Sequence, residues 1–264
     1  SNSNAVGGAY GILQLSSVGC GFNDTSLVCY IIKPNAVDNS ASTTVNTPIL
    51  STGSPVVVGP NSTSIITASS KQGTTVVNPD GTVKYTPNTN IVGTDTITKI
   101  VCITTNSITV CDTSLTFINV APNYADTALT TPQGTAITAG TPVLTMPGSS
   151  TAITKSGPAN GTTTVSSTGV VTYTPNPNFV GTDTVMRYVC VTFADATQKC
   201  DTSIMVFTVT PKVNDTTSKT NVNTPVTVGK PVVTSPGTTA TTTASAKSGT
   251  TTVNPDGTVK YTPN

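Results

Sequence analysis

The chain has 264 residues, of which 9% are charged, and a formal net charge of +1. Every acidic residue is Asp, and His, Glu and Trp are absent. This balance argues against a nucleic-acid or anionic-membrane footprint, and it lacks the His and Glu that general acid-base catalysis most often recruits. No apolar run approaches the roughly 18 residues of a membrane span. About one residue in five is Thr and many are Val, and β-branched side chains favour pleated, half-buried strands over helices.

The chain repeats with a period of 88. Tyr85, Tyr173 and Tyr261 are 88 apart, as are Gly93 and Gly181, and Cys102 and Cys190. Fixed periods of this kind mark arrays of one structural unit. In chain order, residues 1–36 offer two apolar β-type segments, YGILQLSSVGC and SLVCYIIK. Asp24-Thr25-Ser26 lies 88 before Asp112-Thr113-Ser114, which gives this segment the phase of the back half of a repeat. Residues 37–122 and 123–211 are predicted to be complete modules. Residues 212–264 are predicted to be the front half of a third.

Each complete module is expected to begin with an extended segment such as NTPILSTGSPVVV, followed by a Thr/Ser-rich strand and then a hairpin. The hairpins are TTVVNPDGTVKYTP, TTTVSSTGVVTYTP and TTTVNPDGTVKYTP, each with a Gly able to take positive φ at the reversal. A turn at Gly-Thr-Asp-Thr, at Gly93 and Gly181, is expected to introduce two long strands. Six or seven strands per period, with turn signals between them, predict an all-β chain of tandem β-sandwiches. Asp95, Asp183, Asp112 and Asp201 are expected to accept backbone N–H bonds. The three tyrosines are expected to pack in the core or make a corner-type hydrogen bond.

The cysteines fall in three close pairs: Cys20 with Cys29, Cys102 with Cys111, and Cys190 with Cys200. In the complete modules they flank a hairpin loop, so a cross-strand disulfide is geometrically open to them. The pair of Cys20 and Cys29 departs from this pattern, because Cys29 has the phase of Phe117 and not of Cys111. Closing a loop of about 10 residues stabilises by roughly 2.5 kcal/mol on the chain-entropy estimate. Disulfides of this kind imply an oxidising compartment.

The pattern NTP, NPDGTVKYTPN, VGTDT, VC and CDTS resembles the bacterial immunoglobulin-like or cadherin-like tandem repeats of large surface and secreted proteins. The resemblance covers about Val37 to Asn264. It implies immunoglobulin-like sandwiches, an extracellular or cell-surface location, and a stalk or adhesion role. Such repeats often carry an Asp-rich calcium-binding stretch, and here GPNSTS, MPGSST and SPGTTA stand in its place. No metal, cofactor or catalytic site is expected.

Asp-Thr-Ala/Ile/Val/Thr sequences resemble an O-glycosylation motif used by some bacteria on secreted proteins, with Thr96, Thr127, Thr184 and Thr216 as acceptors. Open sheet edges invite pairing. The terminal module, split between the two chain ends, is therefore expected to be completed by strand addition from another copy. The donor side chains would be Tyr10, Ile12, Leu13, Leu15, Val18, Leu27, Val28, Tyr30, Ile31 and Ile32. The expected product is a head-to-tail homopolymer forming an extracellular filament. Two alternatives stand beside it: a segment of a covalently continuous adhesin stalk, and a carbohydrate-binding accessory module. The lack of Trp platforms weighs against the latter.

Overall fold

The computed structural model describes residues 33–264 except 60–61, 106, 213–215 and 235–238. The expected donor side chains lie outside the described residues, and so do Cys20 and Cys29. All regular elements among those described are β-strands, as the wealth of Thr and Val predicts. They form two compact units. One holds residues up to Asn123 with Leu144–Ala152 and Cys190–Cys200; the other holds Tyr124–Val143, Ile153–Val189 and Asp201–Asn264.

In the first repeat, seven strands occur in order: β1 (Asn39–Thr44), β2 (Ile49–Thr52), β3 (Ser62–Ser69), β4 (Gly73–Val77), β5 (Val83–Pro87), β6 (Ile91–Thr105) and β7 (Ile108–Ala121). One sheet runs β1, β7, β6, β3, and the other β2, β5, β4. β6 and β7 are the long hairpin, in register from Gly93↔Val120 to Thr105↔Ile108. β1 lies parallel to β7, from Asn39↔Thr116 to Thr44↔Ala121. Burial alternates along β6 and β7 with the period of two that a half-buried strand requires. Their inner residues Ile97, Ile118 and Val120 meet Val83 and Tyr85 of the other sheet in one apolar cluster.

The second repeat follows the same plan with β8 (Thr127–Pro132), β9 (Ile137–Ala139), β10 (Leu144–Thr145), β11 (Ser150–Lys155), β12 (Gly161–Val165), β13 (Val171–Pro175), β14 (Phe179–Thr192) and β15 (Gln198–Thr210). Its sheets are β11, β14, β15, β8 and β12, β13, β9. Tyr173 stacks on Phe207 with ring centroids 4.5 Å apart, among Val171, Phe179, Val185 and Val209. The third repeat contributes β16 (Val226–Val228), β17 (Val233–Thr234), β18 (Thr250–Val253) and β19 (Val259–Thr262), with β16, β19 and β18 in one sheet.

Two local findings shape these repeats. The hairpin turns behave as the sequence predicts: Gly81, Gly169 and Gly257 have φ of 83°, 78° and 81°. Gly-Thr-Asp-Thr does not form a turn. Gly93 and Gly181 lie inside β6 and β14, with φ of 124° and 132°. At Gly93 the reason is visible, because a Cβ there would fall within 2.7–3.0 Å of Ser149 and Met146. That close approach belongs to a strand lent by the following repeat. β10 pairs parallel with the start of β6, Leu144↔Ile91 and Thr145↔Val92, and Met146 completes the first apolar cluster. β17 pairs in the same way with the start of β14, Phe179↔Val233 and Val180↔Thr234.

Candidate functional site

The chemistry of each complete repeat converges on one buried carboxylate. Asp95 is 3% exposed and Asp183 is 4% exposed. Asp95 accepts bonds from the backbone N–H of Lys71 at 3.4 Å and of Gln72 at 3.1 Å. Asp183 accepts from Ala159 N at 2.9 Å and Asn160 N at 2.8 Å. In both repeats a tyrosine ten residues upstream donates to the same oxygen, Tyr85 to Asp95 Oδ2 at 3.0 Å and Tyr173 to Asp183 Oδ2 at 3.1 Å. A carboxylate taken from water needs several such donors to be tolerated. Burial first, then the adjacent carboxylate, pushes both tyrosine hydroxyls well above their ordinary pKa. Both are thus fixed as neutral donors.

Four further aspartates tie down chain entries. Asp112 Oδ2 accepts from Ala36 N at 2.8 Å, and Asp201 Oδ2 accepts from Tyr124 N at 2.5 Å. The bond from Ala36 leads the causes that hold the Asp112 carboxyl below its usual range. Asp38 accepts from Leu115 N and Asp126 from Ile204 N, both at 2.7 Å. The expectation that Asp95, Asp183, Asp112 and Asp201 accept backbone N–H bonds matches these contacts, but all four lie within strands, not in turns.

Disulfides join Cys102 to Cys111 and Cys190 to Cys200. Cys102 and Cys111 are directly paired across β6 and β7. The third expected disulfide, between Cys20 and Cys29, falls outside the described residues.

A buried cation, which sequence patterns gave no reason to expect, sits beneath each sandwich. Arg187 is 1% exposed. It donates to Ser203 Oγ at 3.2 Å, Thr141 O at 2.8 Å and Gly169 O at 3.1 Å, and lies 4.9 Å from the centre of the Tyr124 ring. Burial lowers its pKa. In the first repeat the matching residue is Lys99, which donates to Ser54 O at 3.0 Å. Ala36 replaces Tyr124 there, and a cavity of about 40 Å³ lies against Ala36, Pro55, Val56 and Lys99.

Among the expected glycan acceptors, Thr184 and Thr216 are exposed, whereas Thr96 and Thr127 are half-buried. The Thr127 hydroxyl is buried without a hydrogen-bond partner. Among the described residues no three His, Cys, Asp or Glu side chains group to hold a metal ion. No helix among them is long and apolar enough to cross a membrane.

The third repeat repeats the register of the other two. The rows Ile49, Tyr85, Thr75 and Ile137, Tyr173, Thr163 have their counterpart in Val226, Tyr261, Thr251. Val228, Val259 and Val253 form the next row. This face is more exposed than its siblings: Tyr85 and Tyr173 are 0% exposed, whereas Tyr261 and Val259 are only half-buried and Val253 is 37% exposed.

Comparison with known proteins agrees with this architecture. Residues 32–116 and 119–208 match the family described as bacterial Ig domain. No curated protein matches the chain. Among solved structures, human protocadherin-24 EC1-2 is 12% identical over 66% of this chain and 94% of that one, with a TM-score of 0.27. The I-band fragment I67-I69 from titin is 12% identical over 87% of each chain, with a TM-score of 0.23. An endo-fucoidan hydrolase from glycoside hydrolase family 107 is 15% identical over 67% of this chain but only 28% of its own, with a TM-score of 0.31. Likeness at this level supports no inference about activity. The two family matches span more than half of the chain, and with the disulfides they indicate an extracellular or surface protein. The chain belongs to the bacterial Ig domain family, with two family domains in tandem.

Proposed function

We propose that this chain is a structural, non-catalytic segment of an extracellular or cell-surface fibre, its Ig-like modules serving as mechanical spacers. The supporting observation is the parallel ladder between the first and last strands of each complete repeat, β1 on β7 and β8 on β15. When the entering strand and the leaving strand are parallel neighbours, tension along the chain shears six paired positions together instead of unzipping them one at a time. The carboxylates serve the same end, because Asp38, Asp112, Asp126 and Asp201 each fasten an entry segment to the last strand. Single-molecule stretching tests this. Two cooperative unfolding events are expected, each releasing roughly 20–25 nm of chain, with the disulfide-closed loop held back. Gradual lengthening at low force without discrete events would overturn it.

A finer form of this function is a filament in which residues 1–36 of one copy complete residues 212–264 of another. The phase of Asp24-Thr25-Ser26 supports it. Deleting residues 1–33 should then abolish any filaments seen by electron microscopy and leave both complete repeats folded. Filaments that survive the deletion would rule out this donor.

A further inference from the structure

One turn is built alike in all three repeats and filled differently in the second. Asn46, Gly134 and Asn223 hold its left-handed position, with φ of 59°, 70° and 57°. The next residue donates back across it each time, Thr47 to Thr44 O, Thr135 to Pro132 O and Thr224 to Asn221 O, at 3.0–3.1 Å. In the first repeat the Asn46 side chain closes the space beside the turn. Its Nδ2 donates to Asn90 Oδ1 at 3.1 Å, and its Oδ1 accepts from Asn90 N at 2.8 Å. Asn178 stands where Asn90 does, with φ of 65° against 60°. Its carbonyl accepts from Val233 N at 2.8 Å, as that of Asn90 accepts from Leu144 N at 2.9 Å. The clamp itself is missing, because Gly134 has no side chain and nothing lies within 4 Å of where a Cβ would stand.

What remains is a cleft of about 480 Å³, bounded by Gly134 and Asn178 and within the size range of small-molecule sites. Thr162 and Thr174, cross-strand partners on β12 and β13, expose their side chains to it. Gln133 and Asn176 add side-chain amides. Lys212 and Lys230 add two ammonium groups, and no described carboxylate lines the cleft. Both cations are particular to this place, since the residues 89 earlier are Asn123 and Thr141. The repeat without the clamp is thus the one with the charge. Among the described residues, nothing bonds to the Asn178 N–H or to the side chains of Asn178, Thr162, Thr174, Lys212 and Lys230.

We propose that this cleft binds an acidic saccharide, with the anionic group held by Lys212 and Lys230 and the sugar hydroxyls held by Asn178, Thr162, Thr174, Gln133 and Asn176. Two charges of one sign, with no described acid beside them, select an anion. The neutral polar groups outnumber the charges, and hydroxyls and amides both donate and accept, as the hydroxyls of a sugar do. A ligand with several hydroxyls around one anionic group meets both conditions. Inorganic phosphate or sulfate is far smaller than the cleft. Among the described residues no aromatic ring lines it, so a neutral sugar has no platform to stack on and charge sets the preference. This binding goes beyond the mechanical role and does not depend on it, because neither parallel ladder lines the cleft.

The test is an NMR titration of the isotope-labelled full chain with digalacturonate and, separately, with lactose sulfate; lactose and sodium sulfate are the neutral and inorganic controls. At least one of the acidic sugars should shift the Asn178 backbone and side-chain amides and the amides of Thr162 and Thr174. Asn90, the clamped counterpart, should not move. Replacing Lys212 and Lys230 together by Ala should weaken binding by about tenfold or more, because it removes the charge-assisted bonds. Gly134→Asn gives the second repeat the side chain that the other two carry, at a φ that Asn accepts. It should close the cleft on Asn178 and weaken binding by a similar factor while the fold is kept.

Lactose should leave these amides unmoved, and sulfate should bind at least about tenfold more weakly than the acidic sugar. Absence of shifts at Asn178 with both acidic sugars would overturn the inference. So would binding that survives loss of the two lysines, a Gly134→Asn chain that binds as well as the original, or lactose that binds as tightly as its sulfate. Sulfate alone binding as tightly as the sugars would make the cleft a simple anion site and overturn the saccharide assignment.

Discussion

Tyr85 and Tyr261 occupy the same row of the same sheet, over the same hairpin, yet one is sealed from water and the other is half-open. The difference lies outside the sheet. β2, β5 and β4 are covered by β6 and β7, which bring Ile97, Ile118 and Val120 and the carboxylate of Asp95. No described segment does this for β16, β19 and β18. The front half of a repeat therefore sets register and turn geometry by itself. Burial and the latch between Tyr and Asp come from the back half. The second repeat adds a further contrast, with Arg187 under the Tyr124 ring where the first has Lys99 beside a small cavity.

The sharpest way to break the contrast is to remove the latch where it is closed. Asp183→Ala leaves the Tyr173 hydroxyl and two buried amides without their acceptor and should destabilise the second repeat by about 3 kcal/mol. Tyr261→Phe in the chain alone should shift stability by less than about 0.5 kcal/mol; calorimetry on the matched variants reads both. Next in size, replacing Cys190 and Cys200 together by Ser should cost roughly 2.5 kcal/mol in urea unfolding.

Alkali should act on the same latch. Burial raises the folded-state pKa of Tyr85 and Tyr173, and pushes Tyr124 up to about 12. A raised folded value means the stability is intact below the ordinary tyrosine value of about 10 and is lost as pH climbs through the folded one. For Tyr124 the loss is on the order of 2 kcal/mol between about pH 10 and 12. Tyrosinate absorbance and circular dichroism should therefore change together in that window. The smallest effect sharpens the contrast between the two complete repeats. Ala36→Val, which adds about two methyl groups, should fill much of the cavity of about 40 Å³ beside Lys99 and stabilise the first repeat by about 1 kcal/mol or less.

Much of this architecture was legible in the sequence, for physical reasons that can be named. Alternating Val, Ile and Thr gave the strands, Asp-Gly and Thr-Gly gave the hairpins, and two of the close Cys pairs marked the long β6–β7 and β14–β15 hairpins. Gly-Thr-Asp-Thr was misleading because Gly and Asp are turn formers by local preference, and here tertiary contact decides instead. Gly93 makes room for Ser149 and Met146, and Asp95 reaches across the sandwich to Tyr85. Met146 stands in a stretch, MPGSST, that reads as loop, and its burial in the preceding repeat could not be seen from local pattern. Arg187 was equally hidden, since a lone cation gives no sign that three oxygen acceptors await it inside.

Amide hydrogen exchange on the full chain is the most direct test of the claim that the front half of a repeat forms its own sheet and is sealed only by the long hairpin of the back half. Residues 83–87 and 171–175 should exchange at least about a hundredfold more slowly than residues 259–262, because sheet positions sealed in a core open only with the whole domain. Equal protection at all three hairpins would contradict the account.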